Sequence, residues 1–336
     1  MANDLVNHGA IQAALSDLEL QRKVVARQNI RSYLFTIGGF LLLAAGLLSG
    51  NFVAPGVLKS LISVPFVLPG IAVAGGVLLI TGFIFYSRAN TKFSAYRYNF
   101  KQNIVSIALK FVDESLNIDY TRGLTESDFI YSRLFSKEPD RYRSEDQVSG
   151  RAGKTEFSFS ELHAEYKTVT QTKHGRREHW HTIFKGIVFY ADFNKNFNGI
   201  TVVRPKDAGA ALGAWISKTI PVFSTSDKQL VALENPEFSS EFITYSTDQV
   251  EARYILTPAL MERLCTLNKR CRYTISLSFI GSKVFIAFPL DKDYFEPPVY
   301  KSLLETSFLD EDIDVIRFMY DIIKDLDLNT RIWTKA

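Results

Sequence analysis

The sequence predicts an α+β membrane protein in which a two-helix transmembrane hairpin and a long juxtamembrane helix precede a cytoplasmic mixed domain rich in antiparallel strands. Two uncharged apolar runs near the start, a helical stripe of large side chains after them, and alternating apolar and polar residues beyond support this fold class. The predicted parts are an N-terminal amphipathic helix (1–31), the hairpin (32–87), the juxtamembrane helix (88–118) and the α+β domain (119–336).

The hairpin is predicted from its lack of charge. No charged residue occurs from Ser32 to Leu58 or from Ser60 to Ser87, and Lys59 alone separates the two runs. A helix needs about 20 mostly apolar residues to cross roughly 30 Å of hydrocarbon. A hairpin buried in a soluble core is the weaker interpretation because uncharged stretches of this length are rare in water. A cleavable signal peptide is also weaker because its apolar region would start nearer Met1.

Basic residues flank the hairpin on both sides, while its loop carries only Lys59. Positive charge close to the end of a span tends to stay in the cytoplasm. We therefore expect both termini and the main domain to be cytoplasmic. The flanking residues are Arg22, Lys23, Arg27 and Arg31 before the first run, and Arg88, Lys92, Arg97 and Lys101 after the second.

Two patterns predict helix contacts. Small residues at a spacing of four let membrane helices approach closely, and the juxtamembrane helix carries an apolar stripe of the kind that marks an interface when nothing covers it. These residues either pack within one chain or form the interface of a homo-oligomer, which we expect. They are Gly46, Gly50, Ala72 and Gly76 in the hairpin, and Phe93, Tyr96, Phe100, Ile104, Ile107 and Phe111 in the stripe.

Alternation typical of strands begins near residue 145 and continues to residue 204, with a hairpin tip near Gly175, where glycine permits a positive φ. Further strands are predicted near 229–234, 241–247, 272–280 and 283–290, whereas residues 205–229 are ambiguous. Helices are predicted after the cap residues Thr125 and Thr257, and from about Leu309 to Leu326.

The hairpin tip carries the candidate contact residues Lys173, Arg176 and Arg177. They would contact lipid headgroups or an acidic partner, as basic cytoplasmic segments do, unless the tip is an ordinary polar turn. The neighbouring His179 and His181 lie on one face of a strand and could share a metal ion. No cysteine or carboxylate pattern completes such a site, so we expect no metal.

Composition and motifs exclude several classes. A formal net charge of +3 lacks the concentrated basic character of a general nucleic-acid binder. Cys265 and Cys271 are six residues apart, a spacing that fits no metal or redox motif. Linear signatures of hydrolases, zinc proteases and nucleotide-binding loops are absent. We therefore expect no cofactor and assign no catalytic residue.

Several phrases resemble a known family when taken together. They are IYSRLF (130–135), SEDQVSG (144–150), FSFSELHAEY (157–166), FKGIVFYADFNKNFNGITVV (184–203) and the run 235–264. With the two-span opening, they resemble a domain-of-unknown-function family of bacterial inner-membrane proteins, often encoded beside LemA-type membrane proteins. The resemblance covers about Ser32 to Pro289. It implies a bacterial inner-membrane location and a LemA-like partner, and it assigns no chemistry.

Two functions remain. The favoured one is a non-enzymatic, membrane-anchored scaffold or adaptor that self-assembles and binds a LemA-like membrane partner. The alternative is a lipid- or small-ligand-binding module, or an enzyme, with a pocket in the cytoplasmic domain that leaves no linear motif.

Overall fold

The computed structural model describes residues 9–51, 67–173, 175–193, 195–206, 229–304 and 307–328. The chain divides into two compact units. The first comprises Met1–Ile107 and Glu296–Leu309, and the second comprises Ala108–Phe295 and Asp310–Ala336. Most of the ambiguous stretch, residues 207–228, lies outside the described ranges.

Two long helices form the frame of the first unit. Helix α1 spans Gly9–Asn51, so the predicted boundary at residue 31 falls inside it. Helix α2 spans Val67–Phe100, and a π-helical turn (Lys101–Val105) leads on to α3 (Ser106–Val112). Both long helical stretches are long and apolar enough to cross a membrane. Many of their large apolar side chains are exposed, among them Leu34 (66%) and Phe83 (70%). The fold is therefore α+β, with two apolar helices that could span a membrane.

Glycines bring α1 and α2 into close contact. A Cβ atom on Gly75 would lie 2.8 Å from Cγ of Leu43, and one on Gly39 would lie 2.9 Å from Cγ of Leu79. Carbon atoms in normal contact are about 3.5–4.0 Å apart, so neither position has room for a side chain. At a third crossing point the Ser32 hydroxyl donates a hydrogen bond to the carbonyl of Gly82 (3.0 Å).

A short segment near the C-terminal end, residues 296–304, fastens α1 to the helix that begins with α2. We call this segment the clasp. Its side chains and backbone make ion pairs and hydrogen bonds with both helices. Two of the helix residues that take part, Tyr96 and Lys101, are buried. The contacts are Arg97–Glu296 (2.7 Å), Lys101–Glu296 (3.0 Å), Tyr96 hydroxyl to Pro298 carbonyl (2.9 Å), Arg22 to Val299 carbonyl (2.8 Å) and Leu303 amide to Glu19 (3.0 Å).

One antiparallel sheet organises the second unit. Its strand order is β1-β2-β3-β4-β9-β8-β5-β7-β6. The strands are β1 (Asn117–Asp119), β2 (Arg141–Ala152), β3 (Thr155–Thr172), β4 (Gly175–Asp192), β5 (Thr201–Pro205), β6 (Gln229–Leu230), β7 (Phe242–Ser246), β8 (Ser276–Ile280) and β9 (Lys283–Pro289).

Helices cover both faces of the sheet. They are α4 (Glu126–Tyr131), α5 (Pro236–Glu241), α6 (Gln249–Ile255), α7 (Pro258–Lys269) and α8 (Ser307–Asp325). On the α4 face, Phe129, Phe184 and Phe285 belong to one buried apolar cluster. On the other face, α8 places Phe318 against Phe288 of β9 at 5.5 Å and an edge-on angle of 83°. Because apolar residues fill both faces, the sheet is a rigid support for whatever extends from it.

The predicted caps are present. The Thr125 hydroxyl accepts from the Asp128 amide (3.1 Å), and the Thr257 hydroxyl accepts from the Leu260 amide (3.2 Å). The helix after Thr125 is shorter than predicted. It ends at Tyr131, where Ser132 turns the chain and donates its hydroxyl to the Phe129 carbonyl (2.7 Å).

Other bounds differ from the prediction. Strand β2 begins at Arg141, before the predicted start of the alternation near residue 145, and β6 is only two residues long. Helices α5 and α6 were not predicted. Each follows an Asx cap: Asn235 accepts from the Phe238 amide, and Asp248 accepts from the amides of Val250 and Glu251.

Candidate functional site

Strands β3 and β4 extend beyond the strands that flank them. Strand β2 pairs with β3 only as far as Arg141 opposite Glu165, and β9 pairs with β4 only from Gly186 onward. The pairing of β3 with β4 continues to Thr172 opposite Gly175. We call residues 166–181 the β-arm. At about 3.3 Å per residue, it extends roughly 20 Å past the sheet.

The base of the β-arm is a fixed bend. The register shifts between Ala164 and Glu165, which inserts one extra residue on β4. Nearby Gly186 has a φ of +146°, and a Cβ there would lie 2.2 Å from the carbonyl oxygen of Phe288. Only glycine fits this position, so the close approach of β9 depends on it.

The tip of the β-arm is exposed and basic. Lys173, Arg176 and Arg177 are all exposed, and Gly175 between them adopts the predicted positive φ of +118°. Arg176 pairs with Glu178 at 3.3 Å. Among the residues that the structure describes, Lys173 and Arg177 have no ion-pair partner. Two uncompensated cations therefore stand at the end of a stiff ribbon.

An aromatic group lies closer to the base, on one face of the β-arm. Trp180 is 38% exposed, the Arg141 guanidinium lies 4.0 Å from its ring centroid, and the Lys167 ammonium lies 5.7 Å from it. Val169 on the same face is 46% exposed. Neither Trp180 nor Arg141 was predicted as a site residue. The contact between them could not be predicted, because Arg141 is brought to the β-arm only by the pairing of β2 with β3.

Among the histidines of the β-arm, His181 packs against other residues of the β-arm. His181 lies 2.8 Å from the Thr168 hydroxyl, and its ring stacks on Tyr166 at a centroid distance of 4.9 Å. His179 is exposed, and His174 lies outside the described residues. The ring of His181 is thus held in place by packing on the β-arm itself.

A groove of about 610 Å³ runs between α8, the residues that follow α7, and the end of β9. We call it the α8 groove. Phe288, Val315, Phe318 and Met319 line it, together with charged residues that include Arg270, Arg272, Asp314 and Asp321. Arg270 is paired with Asp325 and Arg272 with Asp291. The groove thus combines apolar side chains with charged edges.

The comparisons with known proteins point to an uncharacterised family. A family model described as "Protein of unknown function (DUF3137)" matches residues 182–328. Those residues form a DUF3137 domain. The match begins inside β4, at the base of the β-arm, and continues through α8. It confirms the part of the resemblance that concerns an uncharacterised domain family.

Further comparisons add little. The chain is similar to the crystal structure of the mycobacterial trehalose monomycolate transport factor A, TtfA, with 12% sequence identity and a TM-score of 0.33. That likeness covers 66% of this chain and 93% of the other. No curated protein matches the chain.

The small residues of the hairpin divide into two groups. A Cβ on Gly46 would lie 3.2 Å from Cγ2 of Ile71, so Gly46 faces α2 of its own chain. Ala72 is exposed, and a Cβ on Gly76 would meet nothing within 4 Å. The surroundings of Gly50 lie outside the described residues. Ala72 and Gly76 therefore form an open face on α2.

The juxtamembrane stripe is mostly covered within the chain. Tyr96, Phe100 and Ile104 are buried, Phe93 and Ile107 are half-buried, and Phe111 is 41% exposed. Packing within the chain, one of the two alternatives left by the sequence, accounts for the buried members. The predicted oligomer interface stays a prediction. On this stripe, only the residues near its two ends (Phe93, Ile107 and Phe111) have exposed surface left for such an interface.

One group of side chains has the geometry of a metal site. Ligand atoms of Glu237, Glu241 and Cys265 lie within 4.8 Å of one another. Burial and the carboxylates of Glu241 and Glu237 raise the pKa of the Cys265 thiol to about 11. Both acids already have protein partners, since Glu237 pairs with Lys269 and Glu241 accepts from Asn268 (2.7 Å). The contact between α5 and α7 explains the cluster without an ion.

One pair of linked pKa shifts lies in the sheet domain, away from the β-arm. The Tyr320 hydroxyl donates to Asp113 at 2.7 Å, and this hydrogen bond raises the pKa of Tyr320 to about 12. Hydrogen bonds from Ser115 and Tyr320 lower the pKa of Asp113. The hydrogen bond between Tyr320 and Asp113 joins the end of α3 to α8.

Proposed function

We propose that the chain is a non-enzymatic, membrane-anchored adaptor that self-assembles. In this proposal the hairpin lies in the bacterial inner membrane, and both termini and the sheet domain face the cytoplasm. The β-arm is the element that makes contact with a partner, either a second copy or a LemA-like membrane protein.

The β-arm is the observation that carries the proposal. Its exposed residues are 168–171, 173 and 175–180, and among the described residues no third strand pairs with either edge. A ribbon that exposes unpaired backbone is a hazard unless it has a use or is protected. Anchoring is supported separately by the exposed apolar side chains of α1 and α2, because water is a poor solvent for such a surface.

The mass of the full chain in mild detergent, measured by light scattering, tests self-assembly. We expect a mass of two or more times the chain mass after the detergent is subtracted. A monomer at all accessible concentrations, in detergent and in nanodiscs, would refute this part. Labelling an Ala336→Cys variant in intact cells tests topology, and reaction with an impermeant reagent from outside would overturn the cytoplasmic orientation.

Contact between the β-arm tip and anionic lipid is tested separately. Full-length protein in nanodiscs of neutral lipid is mixed with anionic vesicles, and co-flotation is measured at low and high salt. Basic residues near a charged surface contribute about 1 kcal/mol each, and salt weakens the attraction. If Lys173, Arg176 and Arg177 meet lipid, changing all three to Ala abolishes co-flotation. Equal co-flotation of parent and variant would reject that contact.

A ligand-binding module is the second candidate function. A groove of about 610 Å³ beside α6 and α7, lined by residues that include Leu233, Leu256 and Met261, favours it. Its size is within the range of small-molecule sites. Screening the full chain against a lipid and metabolite panel by thermal shift tests this role, which a consistent lack of stabilisation would refute.

A further inference from the structure

We infer that the β-arm of one copy docks into the α8 groove of a second copy. This inference deepens the proposed self-assembly and rests on it. Its support is the match in charge and polarity between two surfaces that lie far apart in one chain.

The β-arm supplies cations together with apolar surface. Lys173 and Arg177 at the tip have no ion-pair partner in the described part of the chain, and the exposed Val169 and Trp180 lie behind them on the ribbon. Arg177 pairs opposite Thr170, so it extends from the other face of the ribbon and reaches the same partner only around the edge of the tip. A partner suited to this surface has acids at one edge and apolar side chains beside them.

The α8 groove has that arrangement. Asp314 and Asp321 are exposed on the α8 side, and neither has an ion-pair partner among the residues that the structure describes. Phe318 and Val315 of the same helix form apolar lining. On the opposite side, Arg270 is held by Asp325 and stacks 4.9 Å from the Phe318 ring centroid, so its charge is compensated. Arg317 of α8 also lines the groove, between Asp314 and Asp321 in sequence. Among the described residues, two acids without an ion-pair partner face this one cation, so the α8 side carries an excess of negative charge that complements the tip.

The β-arm cannot reach the groove of its own chain. Phe288 of the groove pairs opposite Ile187, which lies twelve residues from Gly175 along β4. That separation is roughly 40 Å at about 3.3 Å per residue. The ribbon is hydrogen-bonded throughout and extends away from this point, so a β-arm that fills the groove comes from another copy.

Pairing of one β-arm with another is disfavoured because the basic tips would repel each other. Docking of an arm in a groove instead joins two different surfaces. Such a heterologous contact leaves one arm and one groove free at the two ends of an open assembly. The assembly either closes into a ring, which fills both, or continues as a filament.

Charge reversal in the full chain tests the inference. The arm variant is Lys173→Glu with Arg177→Glu, and the groove variant is Asp314→Lys with Asp321→Lys. We expect each variant alone to assemble at least roughly ten-fold more weakly than the parent, because like charges now meet. Mixing the two variants restores assembly, since each arm then meets a groove of opposite charge. A chain with all four changes assembles by itself.

Matched controls change the same charges elsewhere. Asp310→Lys with Glu262→Lys and Lys283→Glu with Lys324→Glu alter exposed residues that do not line the groove or belong to the β-arm. Circular dichroism identifies any variant that fails to fold, and the four-change chain provides a second test at the same positions. Recovery of assembly in the mixture supports the inference.

Three results would overturn it. If the parent assembles and both variants match it, docking is wrong while self-assembly stands. If the parent is a monomer, the proposed function fails as well. If the arm variant loses binding to anionic vesicles and keeps full assembly, the β-arm contacts lipid instead.

Discussion

Adjacent glycines on α2 allow the packing of the hairpin to be tested with a built-in control. A Cβ on Gly75 would lie 2.8 Å from Cγ of Leu43 and 3.3 Å from the carbonyl oxygen of Gly39, whereas a Cβ on Gly76 would meet nothing within 4 Å. The first methyl group overlaps its neighbour by about 0.7 Å or more, because carbon contacts begin near 3.5 Å. Overpacking of this kind costs about 1–3 kcal/mol.

The two Gly→Ala changes share every other effect. Both add the same methyl group and gain the same helix propensity, so the difference between the variants isolates the steric cost. We expect Gly75→Ala to unfold about 2–12 °C below Gly76→Ala in detergent, followed by circular dichroism at 222 nm. Equal unfolding midpoints for the two variants would refute the close approach of α1 and α2 at Gly75.

A larger change at the second glycine tests the open face. A Cβ at Gly76 meets nothing within 4 Å, so we expect Gly76→Leu to leave the unfolding midpoint of the parent unchanged. If Ala72 and Gly76 form a subunit contact, the leucine lowers the mass of the oligomer without lowering the midpoint. An unchanged mass would remove this face from the interface.

Two more predictions concern titratable groups in the sheet domain. Tyr320→Phe should destabilise the domain by about 1–2 kcal/mol at pH 7, because Asp113 loses a hydrogen bond. Because the pKa of Asp113 is lowered, the stabilisation from this hydrogen bond is present above the pKa of about 4 that Asp113 has in the unfolded chain, and it is lost as the pH falls through the folded value. The stabilities of the parent and of Tyr320→Phe should therefore converge in acid. The control Tyr300→Phe, at an exposed residue, should show no loss of stability at any pH. Burial raises the pKa of Cys265 to about 11 and of Cys271 to about 12. Iodoacetamide at pH 8 should therefore modify the buried Cys265 only after denaturation and the half-buried Cys271 slowly before it, and rapid labelling of Cys265 in the native protein would contradict its burial.

Alternation in the sequence was enough to predict most of the sheet. Strands β3, β4 and β9 follow the predicted runs closely, because apolar residues at every second position must face a core. Strand β1 escaped prediction because three residues are too few to show a period. Helices α5 and α6 escaped because one or two turns bury too few side chains to leave a stripe.

The proposed contact surfaces were harder to predict. The tip residues Lys173, Arg176 and Arg177 could be read from the sequence, since a glycine turn fixes their place. The length of the β-arm could not, because it depends on where β2 and β9 stop pairing. The α8 groove joins residues of three distant segments, and local sequence patterns carry no information about such a meeting.

The juxtamembrane stripe shows a different limit. Its period predicts that one face of the helix is covered, and Tyr96 and Phe100 are indeed buried. Periodicity cannot say what provides the cover. The Tyr96 hydroxyl donates to the carbonyl of Pro298 in the clasp, about two hundred residues away in sequence.

The basic tip of the β-arm also bears on the solubility of the protein. A two-stranded ribbon rich in threonine, with Val169 and Trp180 exposed, is a template on which other unpaired strands can add. Lys173, Arg176 and Arg177 oppose that growth because each added copy would bring more positive charge to the same edge. Neutralising the tip therefore removes a gatekeeper against aggregation, and concentrated samples of the triple alanine variant should form β-rich aggregates that the parent avoids.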